Sequence, residues 1–451
     1  MAANPETQNA PEDLNAFWMP FTANRFFKSD PRMITHAEGM YYTADDGHKV
    51  LDGTAGLWCV NAGHGRREIT EAVTAQLTQM DFGPTFQMGH PRPFELAERL
   101  SHHLPEGIDR VFFTNSGSES AETALKIARA YQKARGQGER WRLIGRERAY
   151  HGTNFGGISV GGIVNNRRSF GPLVPGTDHM RHTLDIEHNA FSRGLPEWGD
   201  HLADDLEQIA NLHGPETIAA VIIEPIAGSG GVIMPSQGYL KRVREICDRH
   251  GFLLIFDEVI TGFGRVGEAF ASERFDVKPD LICMAKGLTN AAIPMGAVAA
   301  HRDVYDACTG KGEARGHAIE LFHGYTYSGH PVAAAAGLAS LDIYEREGLF
   351  QRAIDLDGYW EEKLHELDSA PNVIDVRNCG LIGAVQLDPR PGAPGERAFD
   401  VFRHAFDNGL LIRVTADIIA LSPPLIVSKE EIDRIVSILG DSLAAVAKTE
   451  H

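Results

Sequence analysis

"FLLIFDEVITGFGRVGEAFASERFDVKPDLICMAKGLTNA", residues 252–291, holds two short apolar runs, each stopped by charge. The first, Phe252 to Phe256, ends in Asp257 and Glu258. The second, Leu281 to Met284, ends after one alanine in Lys286 and a glycine. Both runs are apolar on both faces, as parallel strands covered by helices are. A lysine just past such a strand ordinarily snorkels into water and does nothing. The alternative is a partly buried lysine whose amine has a lowered pKa and acts as nucleophile or base.

The same rhythm extends outward. "RVFF" (110–113) precedes a helix expected from Glu119 to about Lys133, with Ala121, Ala124, Leu125 and Ala128 on one face. "WRLIGR" (141–146) and "AAVIIEPI" (219–226) are further strands, and a helix is expected over 238–251. Strand–helix alternation of this kind builds an α/β layered sheet. Residues 161–200, rich in Gly, Pro, Asn and His, read as a surface excursion. The last third has its own pattern: a helix near 331–365, strands within 372–387, a helix near 396–408, a strand at 410–414 and a last helix from about 428. That is a smaller α+β domain, which the hairpin 39–53, with its Asp46-Gly47 turn, is expected to join. The expected division is 1–59 (arm and part of the small domain), 60–330 (large domain) and 331–451 (small domain).

With 451 residues, 43% of them hydrophobic and 23% charged, the chain is long enough for a large core and has an ordinary globular composition. Its formal net charge of −18 repels phosphate backbones and anionic lipid, which argues against nucleic acid and membrane surfaces as partners. The five cysteines are scattered, with no C-x-x-C, which argues for a reducing compartment and a cytoplasmic protein. The N-terminus lacks a basic region followed by an apolar one and reads as a polar arm, not a signal peptide. No apolar run approaches the length of a membrane span. Of the twenty histidines none lies in H-E-x-x-H, and the adjacent pair His102 and His103 does not share a helix face; no metal site is expected.

The ends of parallel strands line one crevice, where ligands of α/β proteins sit. After "VFF" comes "TNSGSESAE", whose small residues before a helix form a nest of N–H groups suited to phosphate. Ser116 and Glu119 also fit a capping box, which is a purely structural role. After "WRLIGRER" comes Tyr150, which can lie flat on a heterocycle or belong to the core. Asp257 and Glu258 need partners, and one of them suits a cationic ring nitrogen. With Lys286 these features fit pyridoxal phosphate, which needs a phosphate anchor, a lysine for the Schiff base and an acid on its pyridinium nitrogen. A rival signal is "GFGRVG" (262–267), a literal dinucleotide fingerprint. It follows two acids that would repel a pyrophosphate, and no clear helix opens at its glycines.

The whole stretch from "LLIFDEV" to "PMGAV" (253–298) resembles the signature of class III aminotransferases, within the fold-type I family of pyridoxal phosphate enzymes. "FTNSGSESAETALKIAR", "AYHG", "IIEPI" and "YTYSGHP" (325–331) fit the same family. The segments "FWMPFTANRFFK" (17–28) and "GLWCVNAGHG" (56–65) are similar to omega-amino acid or amine:pyruvate aminotransferases. The resemblance implies a large domain with a mostly parallel seven-stranded sheet, and a homodimer or dimer of dimers with shared sites. It implies that Lys286 carries the cofactor, Asp257 pairs with the ring nitrogen, and Ser116, Gly117 and Ser118 contact the phosphate. Thr326, beside Tyr325, would join them from a partner subunit. Tyr150 and Val259 would flank the ring, with His151 and Glu224 close by. Phe21, Trp58, Phe86 and Tyr150 would line the substrate pocket, and Arg413 would grip a carboxylate. The implied reaction moves an amino group from an omega-amino acid or primary amine to pyruvate, giving alanine, in a ping-pong scheme that leaves pyridoxamine phosphate between halves. An aminomutase or decarboxylase of the same fold, a nicotinamide dehydrogenase and a non-catalytic binding protein are the alternatives.

Overall fold

The computed structural model describes residues 13–310 and 316–449. The polar arm's residues 1–12 lie outside them. At its centre is a seven-stranded sheet made of β1 (Ile108–Thr114), β2 (Arg142–Arg146), β3 (Thr177–Met180), β4 (Ile218–Ile223), β5 (Leu253–Asp257), β6 (Leu281–Met284) and β7 (Gly296–His301). The order is β1-β7-β6-β5-β4-β2-β3. β7 runs antiparallel to both neighbours, and the remaining pairings are parallel. The six strands other than β7 therefore share one direction, and their carboxyl ends lie along one edge.

β4, β5 and β6 are buried at every position, as their unbroken apolar runs require. Helices cover both faces. Gly117–Ala134 presents Ala121, Ala124, Leu125 and Ala128 to one side, and Tyr239–His250 buries Leu240, Val243 and Ile246 on the other.

Two strands depart from the sequence expectations. β3 lies within the segment read as a surface excursion; it is a four-residue edge strand, "TDHM", in which only Met180 is buried. β7, "GAVAAH", is built of small residues with weak strand propensity and carries no apolar signature of its own. The expected long helix over 331–365 is two helices, Pro331–Arg346 and Leu349–His365, separated at Gly348, whose φ is +59°.

The smaller part of the molecule has two sheets. Ile34–Glu38, Tyr41–Ala44 and Lys49–Asp52 form a meander whose Asp46-Gly47 turn is as expected, with Gly47 at φ +89°. Val373–Cys379, Ile382–Leu387, Ile418–Leu421 and Arg413–Thr415 form the other. The strand expected at 410–414 is divided between them. Leu410–Leu411 pairs in parallel with Lys49–Asp52, and Arg413–Thr415 pairs antiparallel with Ile418–Leu421. Arg413 thus sits where the chain crosses from one sheet to the next. Among the described residues no helix is long and apolar enough to cross a membrane.

Candidate active site

Five of the strand ends deliver side chains or backbone to one edge of the large sheet. Beyond β1 the chain turns at Asn115 and Ser116 into the helix Gly117–Ala134. Ser116 caps it, its Oγ accepting from the Glu119 N–H at 3.2 Å. The reciprocal half of the expected capping box is not made: the Glu119 carboxylate accepts from the Asn115 N–H and side-chain amide instead. The first-turn N–H groups of Gly117 and Ser118 have no earlier helical carbonyl to bond, and both residues line a cavity of about 160 Å³. Tyr150, Gly152, Glu224, Asp257, Val259, Ile260, Ala285 and Lys286 complete its wall.

Two glycines shape this cavity. At Gly152 (φ +86°) an added Cβ would stand 2.5 Å from Ser118, and at Gly117 it would stand 3.0 Å from Val259. Neither position admits a side chain without shifting the wall.

The two acids after β5 have separate fates. Asp257 accepts from His151 Nδ1 at 2.8 Å and from the Val259 N–H at 3.2 Å, and it lines the cavity. His151 is fully buried behind it, with Nε2 unpartnered. Glu258 faces away. It accepts from Thr261 Oγ1 at 3.0 Å and from the Ser272 N–H at 2.9 Å, and also from the Ala271 N–H. It holds the glycine-rich loop 262–267 against the core. Those glycines serve packing: Gly264 and Gly267 would collide with Phe350 and Ile354 if they carried a Cβ, and the next helix begins only at Ala271. The loop therefore lacks the helix N-terminus that a dinucleotide fingerprint requires.

Glu224 follows β4. It accepts from the Tyr150 N–H at 2.9 Å and the Gly228 N–H at 3.1 Å, and burial pushes its carboxyl up to about 7. Lys286 stands just beyond β6 with φ +51°, a left-handed conformation rare for a side-chain-bearing residue. Strain of this kind persists where the surroundings over-determine it. Burial lowers its amine from 10.5 to about 8, and no side-chain ion pair or hydrogen bond engages it among the described residues. The unfolded chain thus holds a proton that the folded, cofactor-free protein has released between pH 8 and 10.5, so this group makes stability rise with pH across that window. Lys286→Met is expected to raise the thermal stability of the cofactor-free protein at pH 7, with the gain disappearing by pH 10.5. A gain independent of pH in paired melting curves would contradict the buried-amine description.

The residues singled out from the sequence fall into four places. Gly117, Ser118, Tyr150, Glu224, Asp257, Val259 and Lys286 share the cavity, with His151 behind it. Phe21 and Arg413 line an adjoining aromatic cavity of about 370 Å³. Arg413 is the link between the two, because its charge acts on both Tyr150 and Lys286. Its Nε is buried without a partner, and no acid pairs with it among the described residues. Trp58 is 3% exposed, in an apolar cluster with Ile260. Phe86, Tyr325 and Thr326 lie elsewhere. Tyr325 Oη meets Thr123 Oγ1, on the helix Gly117–Ala134, at 3.2 Å, while Phe86 and Thr326 are exposed. Sequence reading missed Gly152, Ile260 and Ala285 as wall residues. Gly152 was visible as the glycine of "AYHG", but nothing in the chain marked it as a close approach to Ser118.

The family model for aminotransferase class III matches residues 25–443. The chain belongs to the class III aminotransferases. This aminotransferase is 60% identical to an omega-aminotransferase of Caulobacter vibrioides over 434 residues, covering 96% of this chain and 98% of that one. It is 49% identical to a beta-alanine–pyruvate aminotransferase of Pseudomonas aeruginosa, with 96% and 97% covered. Among solved structures it is similar to a thermostable (S)-enantioselective omega-transaminase from Thermomicrobium roseum, at a TM-score of 0.88 and 36% identity, with 95% and 96% covered. An amine transaminase from an uncultivated Pseudomonas species, solved with pyridoxal phosphate bound, matches at 0.87 and 36%, covering 97% of this chain and all of that one.

Proposed function

We propose that this aminotransferase uses pyridoxal 5′-phosphate to move an amino group from an omega-amino acid such as β-alanine, or from a primary amine, to pyruvate. The observation that carries the reading is the convergence of the Lys286 amine, the Asp257 carboxylate and the first turn of the helix Gly117–Ala134 on one cavity. The names of the relatives supply the substrates. The donor set fits the cofactor: N–H groups at a helix start suit a phosphate, and the glycines at 117 and 152 let the wall segments carrying Val259 and Ser118 close in around it. A cytoplasmic location suits the five free thiols.

When bound, pyridoxal phosphate supplies a carbonyl for the amine and a ring that withdraws electrons from the carbon losing its proton. The protein supplies the rest. Gly117 and Ser118 hold the phosphate, with Ser116 ordering the turn behind them. Tyr150 and Val259 would flank the ring, and Glu224 fixes the Tyr150 backbone beside it. Asp257, oriented by His151, would hold a proton on the ring nitrogen. Lys286 would carry the cofactor at rest, and its amine, freed when the donor binds, would be the base that moves the proton from the donor carbon. The donor leaves as a carbonyl compound, its oxygen taken from water. In the second half pyruvate loses its keto oxygen as water and leaves as alanine, so there is no net oxidation or reduction. Steady-state rates with β-alanine and pyruvate should give parallel double-reciprocal lines, and intersecting lines would exclude this ping-pong order.

Arg413 is the group for the carboxylate. Its guanidinium is largely buried and has no acid partner among the described residues, and burial lowers its pKa. A carboxylate accepts well from such a fork. An Arg413→Ala variant is expected to lose about 1.5–3 kcal/mol of pyruvate binding, roughly a ten- to hundredfold rise in KM. The KM for a carboxylate-free amine should change much less. Equal losses in the two half-reactions, each followed by cofactor absorbance, would make Arg413 structural.

A homodimer, or a dimer of dimers, completes the reading. Phe322 and Phe94 are 90% and 71% exposed, and Met88, Phe86 and Tyr327 are exposed with them. Segments 82–94 and 322–329 meet, Phe82 edge-on to Tyr327, so these side chains form one apolar surface of the kind that seats a partner. Thr326 lies on it, away from its own chain's cavity, where it would reach a second copy's phosphate site.

A further inference from the structure

Asp52 is fully buried at the end of the strand Lys49–Asp52, and a single carboxylate there takes four hydrogen bonds. Oδ1 accepts from the Thr54 N–H at 2.9 Å and from Thr54 Oγ1 at 3.2 Å. Oδ2 accepts from the Gly56 N–H at 2.7 Å and lies 2.7 Å from His64 Nε2. His64 is itself fixed, its backbone exchanging hydrogen bonds with Gly39 at 2.9 and 3.0 Å and its ring packed on Tyr42 at 4.3 Å.

The segment held this way is unusual. Ala55, Gly56 and Trp58 have φ of +45°, +66° and +64°, three left-handed residues within four. Alanine and tryptophan avoid that region, so the turn would relax if the surroundings allowed it. The Asp52 bonds to the Thr54 and Gly56 N–H groups grip the turn from inside, and the one Thr54 hydroxyl proton is shared between Asp52 Oδ1 and the nearer Gly56 carbonyl at 2.8 Å. The turn lines one cavity and shares an apolar cluster with a wall residue of the other. Gly56 and Leu57 line the aromatic chamber beside Arg413, and Trp58 is buried in the cluster that contains the Lys286-cavity residue Ile260. The Trp58 indole N–H is buried without a partner among the described residues.

We infer that the Asp52–His64 pair is a positioning device for the substrate pocket: it holds the Ala55–Trp58 turn in its left-handed form and so sets where Trp58 stands. This rests on the reading of Trp58 as a pocket residue. The test follows the donor half-reaction of the holoenzyme with β-alanine by cofactor absorbance, for Asp52→Asn, His64→Leu, His64→Gln, Trp58→Ala and the Asp52→Asn/Trp58→Ala pair. Asp52→Asn and His64→Leu should raise the half-saturating donor concentration about tenfold with the limiting rate within about twofold. His64→Gln, which still donates to Asp52, should stay near wild type. In the Trp58→Ala background Asp52→Asn should add less than a twofold change, because the residue it positions is gone. Lowered melting temperature with unchanged half-saturation would make the pair merely structural, and effects that multiply in the double variant would show that it does not act through Trp58. A Trp58→Ala variant that saturates like wild type would overturn the pocket role of Trp58 and this inference with it, leaving the roles of Lys286 and Asp257 intact. Should Asp52→Asn fail to fold, the two His64 variants carry the same comparison.

Discussion

A Lys286→Ala variant is expected to fold, to retain pyridoxal phosphate without a covalent link, and to lose nearly all transamination. The base alone is worth about 10²–10⁴-fold, and loss of the covalent attachment adds to that. No other amine is expected to substitute, because among the described residues Lys286 is the one lysine lining the cavity. Folding should survive: removing a half-buried amine that makes no ion pair relieves a desolvation cost. The phosphate would still meet Gly117 and Ser118, and the ring nitrogen would still meet Asp257. Turnover within tenfold of wild type, in protein whose melting curve is cooperative, would remove Lys286 from the mechanism.

Asp257→Asn should produce the second-largest loss. The amide preserves the shape of the site: its oxygen can accept from the Val259 N–H while its NH2 meets His151 Nδ1 in the other imidazole tautomer, so cofactor binding should persist. What it lacks is the charge that keeps a proton on the ring nitrogen. A charge-assisted hydrogen bond is worth about 1.5–3 kcal/mol. Its value is larger in the transition state, where electrons arrive in the ring, than in the ground state. A fall of roughly ten- to hundredfold in the rate of proton removal follows, with little change in donor affinity. Stopped-flow absorbance would read this directly; proton removal at the wild-type rate would refute the role of Asp257.

Much of this site was legible because strand ends in a parallel sheet are legible. The runs 253–257 and 281–284 are wholly buried, and a charged residue after each has few roles other than meeting a ligand or a partner. Asp257 and Lys286 meet the cavity, whereas Glu258, adjacent in sequence, turns the other way to hold residues 261–272. Alternation along an extended chain could have suggested that split. The weaker readings share a different cause. β3 is too short and polar to carry a period, and β7 is half alanine, which favours helix over strand. Asp52 and His64 lie twelve positions apart and meet only because Gly39 pairs with the segment carrying His64. Such a contact is a property of the fold, absent from local pattern. Arg413 was visible as an arginine on a strand, but its position at the crossing of two sheets depends on the division of 410–415 between them.

The central claim is that the amino group stays on the enzyme between two separable half-reactions. The protein should be incubated with β-alanine alone, freed of the donor by rapid gel filtration, and then mixed with pyruvate. The expected result is up to one equivalent of carbonyl product per chain in the first step, no further turnover without a keto acid, and up to one equivalent of alanine in the second. Continued turnover of the donor with no keto acid present would contradict the account and point to a mutase or decarboxylase, as would the absence of alanine when pyruvate is added to enzyme that has already released its carbonyl product.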